Sequence, residues 1–176
     1  GQDICSGLDY AHAKVDERGK PLNIIHRDIS PANILISTSG EVKIVDFGVA
    51  KAASRSQHTT VGVVKGKYQY MSPEQVTGSK IDNRSDIFAV GIVLYETIAG
   101  RMMYPEGADM LDRIRLAKMR PLRQVRPDVP AELERIVTRA LARSADNRYQ
   151  RAGEMGEALA EFRLIYQARN GRGRLD

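Results

Sequence analysis

The sequence predicts a mainly α-helical domain with one small β-hairpin, and three observations support this fold class. Apolar residues recur at helical spacing near the start of the chain, two short β-branched runs flank a turn at 37–40, and helix caps with apolar periodicity fill the second half. The chain has 176 residues, of which 42% are hydrophobic and 28% charged. That balance is typical of one ordinary globular domain.

The first elements follow from local patterns. An amphipathic helix is predicted over 4–13, because apolar residues line one face there: Ile4, Cys5, Leu8 and Ala11. The polar segment 14–21 is predicted as a surface loop. The runs 34–36 and 42–45 are rich in isoleucine and valine and are separated by Ser-Thr-Ser-Gly, which predicts a hairpin.

The rest of the chain is predicted to be a long loop followed by helices. Residues 47–70 are polar without a sustained period, and loops of that length usually carry function. Asp82 is a suitable N-cap for a helix that reaches about Ala99, ends at Gly100 and is apolar all round, as in a buried helix. Further helices are predicted over 108–117, 130–142 and 152–168. We expect residues 1–170 to form the domain and 171–176 a flexible tail.

Composition excludes several function classes. The net charge is +5, from 27 basic and 22 acidic residues, but the basic residues are scattered, which argues against a nucleic-acid partner. The longest apolar stretch, 87–95, is too short to cross a bilayer. Cys5 is the single cysteine and predicts a reducing, cytoplasmic compartment. The chain opens without methionine, and we expect it to be a piece of a longer protein.

Two motifs carry the candidate chemistry, one on each side of the predicted hairpin. The first is H-R-D-I-S-P-A-N at 26–33, and the second is D-F-G at 46–48. A hairpin returns its two ends to the same side, so Asn33 and Asp46 can offer oxygen ligands to one cation, with Asp28 facing the same place. Taken singly, each of these residues is more readily explained as a cap or turn residue, but the ordered set favours a site.

These motifs resemble the catalytic loop and the magnesium motif in the C-terminal lobe of eukaryotic-type serine/threonine protein kinases, and the resemblance runs nearly end to end. Ser72-Pro73-Glu74 is similar to the A-P-E motif that closes the activation segment. Asp86 is similar to the central-helix aspartate that accepts hydrogen bonds from the catalytic loop. Arg148 is similar to the late arginine that pairs with the A-P-E glutamate.

The resemblance implies roles for individual residues. Asp28 would accept or orient the proton of a protein serine or threonine hydroxyl, and Asn33 and Asp46 would hold Mg²⁺ on the ATP phosphates. Leu35 would pack under the adenine ring. Structural roles are implied for His26, Phe47, Gly48, Glu74, Asp86 and Arg148. Regulatory roles are implied for Arg27 and for its expected phosphate partners Thr59 and Thr60.

Two positions depart from the family pattern. Ser30 stands where the serine/threonine branch usually has a lysine, and Lys67 stands where it usually has a threonine. One hypothesis is an exchange, in which Lys67 reaches Asp28 and the γ-phosphate while Ser30 supplies the hydroxyl. The alternative is that both positions drifted in an inactive protein.

The nucleotide-binding elements of the family's N-terminal lobe are not found in this sequence. A glycine-rich loop, a strand lysine and a helix glutamate belong to an N-terminal lobe, and none lies upstream of the catalytic loop here. We therefore expect the 176 residues alone to have little kinase activity and to need an N-lobe as partner. The alternatives are a pseudokinase or docking module without phosphotransfer and, more weakly, a small-molecule kinase.

Overall fold

A computed structural model describes residues 1–47 and 68–171. Within these residues the chain forms seven α-helices and one two-stranded antiparallel sheet. The helices are α1 (Gln2–His12), α2 (Pro73–Thr77), α3 (Asn83–Ala99), α4 (Met110–Arg115), α5 (Leu122–Val125), α6 (Ala131–Ala140) and α7 (Ala152–Gly171). The strands are β1 (Ile34–Ile36) and β2 (Val42–Ile44). The predicted mainly helical fold with a small hairpin is confirmed.

The hairpin has the predicted strands and turn. Ile34 pairs with Ile44 and Ile36 pairs with Val42, and the turn closes where the amide of Ser37 donates to the carbonyl of Glu41 at 2.9 Å. Gly40 has φ +85°, a left-handed conformation that glycine adopts without steric cost. The hairpin therefore places position 33 beside positions 45 and 46.

Helix α3 is the centre of the fold. The Asp82 side chain accepts a hydrogen bond from the amide of Arg84 at 2.9 Å, and Gly100 ends the helix with φ +67°. One apolar cluster packs α3 against α1, α7 and the hairpin, and a second packs it against α4, α5 and α6. Because both sides of α3 are covered, its near-uniform apolar sequence is explained.

Helices α1 and α7 lie antiparallel and close together. A Cβ atom on Gly156 would stand 3.1 Å from the Cβ of Cys5, and the amide of Gly153 donates to the Asp9 carboxylate at 2.8 Å. Small residues on α7 thus allow the two helices to approach. Among residues 1–47 and 68–171, no helix has the length and apolar character needed to span a membrane.

The structure differs from the predicted elements in several places. Helices α2 and α5 were not predicted, and α4 is shorter than the predicted 108–117. Helix α7 continues to Gly171, beyond the predicted end at 168. Short helices such as α2 contain too few residues to show apolar periodicity, so their signals lie only in their caps.

Candidate active site

A buried carboxylate holds the start of the 26–33 loop. Asp86 is 1% exposed, and its two oxygens accept hydrogen bonds from the amides of His26 and Arg27, each at 2.8 Å. The Nε2 atom of His12 also lies 2.8 Å from Asp86 Oδ2. A carboxylate without such partners would be costly to bury, so these contacts both satisfy Asp86 and fix the loop backbone.

Arg27 has a left-handed backbone with φ +67°, which costs a non-glycine residue free energy. Its amide is held by Asp86, and its carbonyl accepts a hydrogen bond from Nε2 of Gln75 at 2.8 Å. The loop conformation is therefore imposed from α3 on one side and from α2 on the other. Within the described part of the chain, the buried Nε of Arg27 has no hydrogen-bond partner.

Asn33 ties the loop to itself and to the hairpin. Its Nδ2 donates to the carbonyl of Asp28 at 2.7 Å, and its own carbonyl accepts from the amide of Val45 at 3.0 Å. Because the amide nitrogen is occupied in this way, the side-chain oxygen of Asn33 is the atom left to act as a ligand. Asp46 follows Val45 directly, so the two predicted metal ligands are placed next to each other.

His26 connects the same two segments from behind. The ring is fully buried, its Nε2 lies 2.9 Å from the carbonyl of Val45, and its Nδ1 lies 3.3 Å from the amide of Asp28. The ring also contacts Phe47, with centroids 4.7 Å apart. His26 thus packs against Phe47, and it links the predicted catalytic loop to the D-F-G segment.

The donor set of Asn33 and Asp46 fits Mg²⁺. Both offer hard oxygen atoms, and Asp46 is exposed with no ion-pair or hydrogen-bond partner among residues 1–47 and 68–171. In the described ranges, no group of three or more His, Cys, Asp or Glu side chains gathers to hold a metal. Two protein ligands suit an ion that keeps several waters and binds substrate phosphates, but would not suit zinc.

An apolar face borders these residues. Leu35 and Ile36 on β1 are 53% and 72% exposed, although both are large hydrophobic side chains. On the other side of the loop, a cavity of about 500 Å³ is lined by Phe47, Ile24 and Tyr10, among other residues. Exposed apolar surface of this extent, next to the side chains of Asn33 and Asp46, is typical of a surface that another domain covers.

A buried ion pair braces α2 beneath the loop. Two nitrogens of Arg148 contact the two oxygens of Glu74 at 2.7 and 2.8 Å, and Ser85 donates to the same carboxylate at 2.6 Å. Burial alone would raise the pKa of Glu74, but the hydrogen bonds from Arg148 and Ser85 outweigh it and hold that pKa below its ordinary value. The pair predicted by resemblance is thus present.

The remaining predicted residues are Ser30, which belongs to the same loop, and four that the structure does not describe. Ser30 caps the 3₁₀ turn Pro31–Asn33 with an extended backbone. Gly48, Thr59, Thr60 and Lys67 lie outside the described residues.

Sequence analysis did not single out His12 or Gln75 as site residues. Gln75 could have been found from the S-x-x-Q capping box that starts at Ser72, which the structure contains. His12 had no comparable signal, since it stands at the end of an ordinary helix.

Comparisons with known proteins agree with this geometry. Residues 1–159 match the family described as "Protein kinase domain". Over 162 residues the chain is 44% identical to the tyrosine-protein kinase MasK of Myxococcus xanthus, covering 91% of this chain and 25% of that protein. Over 157 residues it is 38% identical to the serine/threonine-protein kinase PknB of Mycolicibacterium smegmatis, covering 87% of this chain and 24% of that protein.

A solved structure with the same fold is the twitchin kinase region from C. elegans. It superposes with a TM-score of 0.70 at 20% sequence identity, over 89% of this chain and 26% of that one. At this identity the likeness concerns the fold alone. The chain spans about a quarter of the length of the named relatives that it matches.

Proposed function

Because the chain belongs to the protein kinase domain family, we propose that it is the catalytic lobe of a protein kinase that moves the γ-phosphate of ATP to protein hydroxyl groups. In this proposal residues 1–170 form the lobe and 171–176 a tail. A pseudokinase without phosphotransfer is not favoured, because the relatives MasK and PknB are both named as kinases. The reducing compartment expected from buried, unpaired Cys5 is the cytoplasm.

One observation supports the proposal above the others. A continuous set of hydrogen bonds joins Asp28 to Asn33 and Asn33 to Val45, which places Asp46 alongside. Phosphoryl transfer depends on positioned charges more than on covalent help, and these bonds support the proposal because they fix the backbone that carries the two aspartates. His26 and Asp86 hold the arrangement from its buried side.

Each residue then has a defined task. Asp28 orients the substrate hydroxyl and takes its proton. As this happens, the bond between the hydroxyl oxygen and the γ-phosphorus forms, and the bond from that phosphorus to the leaving ADP breaks. The side-chain oxygens of Asn33 and Asp46 would hold Mg²⁺, which would neutralise charge on the phosphates when bound. Leu35 offers its exposed side chain to the adenine ring.

An N-lobe is the partner that this proposal requires. The exposed side chains of Leu35 and Ile36 and the cavity lined by Phe47 form the apolar face on which it would sit. Covering that face excludes water from the phosphates and strengthens every charge interaction in the cleft. For this reason the 176 residues alone are expected to transfer little phosphate.

The acceptor is proposed to be serine or threonine, although one relative is named a tyrosine kinase and another a serine/threonine kinase. Pro31, after Ser30, follows the serine/threonine pattern. Arg27 is proposed to bind a phosphate on Thr59 or Thr60, and the support for this regulation is that its buried Nε has no hydrogen-bond partner among residues 1–47 and 68–171. Phosphoamino-acid analysis of the labelled products distinguishes the acceptors.

We also propose that Ser30 and Lys67 have exchanged the roles that the family gives to these two positions of the site. Lys67 would bring a cation to the γ-phosphate and Asp28, and Ser30 would supply the hydroxyl. In a protein with both lobes, Lys67→Met should abolish activity, whereas Ser30→Lys combined with Lys67→Thr should retain it. An unaffected Lys67→Met enzyme would exclude the exchange.

The proposal is tested by radiolabel transfer from ATP in a protein that joins this lobe to its N-lobe. Asp28→Asn should lower kcat by roughly a hundredfold or more, the usual contribution of a positioned general base. Asp46→Asn should raise the Mg²⁺ concentration needed for activity. Asp128→Asn is the matched control, because this carboxylate is exposed and forms a surface ion pair with Arg126. Full activity of Asp28→Asn, or none in the unmodified protein, would refute the proposal.

A further inference from the structure

A large groove lies on the lobe between the end of α3, helix α4 and the segment that leads to α5. Its volume is about 870 Å³. Methionines form much of its lining, from buried Met103 through half-buried Met119 to Met102, which is 54% exposed. Sequence analysis gave these methionines no function. Methionine is flexible and polarisable, and a surface that carries several of them adapts to an apolar side chain of a partner.

The rim of this methionine groove is strongly basic. Four cationic side chains line it, and Asp109 is the one carboxylate among the lining residues: the cations are Arg101, Arg113, Lys118 and Arg120. Arg113 donates to the carbonyl of Met103 at 3.1 Å. In the described part of the chain, Arg101, Lys118 and Arg120 form no ion pair with a carboxylate. Among these lining residues there are therefore four positive charges and one negative charge.

The wall of the groove is held in place by Glu96. One of its oxygens accepts a hydrogen bond from the amide of Met103 at 3.0 Å, and the other accepts from the hydroxyl of Tyr70 at 2.8 Å. Tyr95 fixes the opposite side, since its hydroxyl donates to the carbonyl of Arg120 at 2.9 Å. The groove is thus a formed part of the fold, and a ligand would not need to create it.

We propose that the methionine groove binds an acidic segment of a partner protein, which places an apolar side chain on the methionines and its carboxylates beside Arg101, Lys118 and Arg120. Charge complementarity selects acidic over basic segments. The apolar floor accepts an apolar side chain of a peptide, and the scattered basic residues of the chain argue against a nucleic acid. This inference goes beyond the proposed phosphotransfer and does not depend on it.

The test is fluorescence anisotropy of a short fluorescein-labelled peptide in which leucines stand among glutamates, mixed with the 176-residue chain. The double variant Lys118→Glu with Arg120→Glu should weaken binding by about tenfold or more, as should replacing the peptide's glutamates by lysines. Arg18→Glu with Arg163→Glu is the matched control, because it changes charge equally at exposed positions outside the groove. Circular dichroism melting of every variant separates lost binding from lost folding.

The apolar half of the proposal has its own test. Met102→Ser should weaken the leucine-containing peptide several-fold but leave a peptide with serines in place of leucines unchanged. Equal binding of the two peptides to the unmodified chain would overturn the proposal, as would groove variants that bind like the control. A single-stranded RNA oligonucleotide could also bind more tightly than the peptide and lose binding in the same groove variants. That result would overturn the acidic peptide as the ligand and identify a nucleic acid instead.

Discussion

Replacing Arg148 by methionine tests the brace beneath the candidate active site. The Arg148 side chain is fully buried, and its guanidinium contacts both oxygens of Glu74 and lies 4.7 Å from the Phe88 ring centre. It also donates to three main-chain carbonyls, those of Arg84, Ala142 and Arg143. Methionine keeps much of the apolar volume but leaves the carboxylate and the carbonyls without their donor.

The expected cost follows from these contacts. Removing one partner of a buried ion pair typically costs about 3–5 kcal/mol, because the other charge is left uncompensated. For a domain of this size, a loss of about 4 kcal/mol corresponds to a fall in Tm of roughly 8–16 °C. Urea denaturation at neutral pH measures the free energy of unfolding directly. Arg115→Met is the matched control, since Arg115 forms an exposed pair with Asp112 and should change stability little.

The pH dependence gives a second check. In the unmodified chain the pKa of Glu74 lies below its ordinary value of 4.5, so its contribution to stability is present above that value and is lost as the pH falls through the lower, folded value. In Arg148→Met, burial remains without the guanidinium, so Glu74 takes up a proton more readily. The two stabilities should therefore converge below about pH 4.5. A penalty under about 1 kcal/mol at neutral pH, or one that grows on acidification, would refute this reasoning.

Three further predictions concern the buried framework. Asp86→Asn should cost about 1–3 kcal/mol and speed hydrogen exchange at the amides of His26 and Arg27; unchanged exchange would contradict the role of the carboxylate. Burial raises the pKa of Cys5 from 9.0 to about 12, so its thiolate fraction falls roughly a thousandfold, and a disulfide reagent should label the folded chain only as it unfolds. Gly91→Ala would place a Cβ 3.0 Å from Leu141, and the overpacking should outweigh the gain in helix propensity by about 1 kcal/mol in thermal melts, whereas a stabilised variant would show that the contact relaxes.

The hairpin and helix α3 were predicted correctly because turn residues, β-branched runs and helix caps determine them locally. The hairpin followed from two β-branched runs around a turn, and α3 followed from Asp82 and Gly100, which cap it as expected. Helix α2 was missed because five residues show no periodicity, although Ser72 and Gln75 carry its capping signal. The hairpin argument placed Asn33 beside Asp46, and the hydrogen bond from Val45 to Asn33 is the contact that does this.

Other features depend on the whole fold and have no local signal. Arg27 and Asp46 both have left-handed backbones, with φ +67° and +59°, a conformation that is uncommon for arginine, whereas aspartate is one of the residue types enriched there. Arg27 adopts this conformation because Asp86 and Gln75, which are distant in sequence, bind its amide and carbonyl. His12 reaches Asp86 only after α1 has packed against α3. The family resemblance anticipated the hydrogen bond from the loop to Asp86, but no local pattern predicts the left-handed backbone of Arg27 or the contact of His12.

The two ring nitrogens of His26 have opposite requirements. Nε2 faces the carbonyl of Val45 and must carry the hydrogen, whereas Nδ1 faces the amide of Asp28 and must present a lone pair. Only one neutral tautomer satisfies both neighbours. In this tautomer one buried side chain fixes the carbonyl of Val45 and the amide of Asp28 relative to each other, so the D-F-G segment and the 26–33 loop are joined at a single ring.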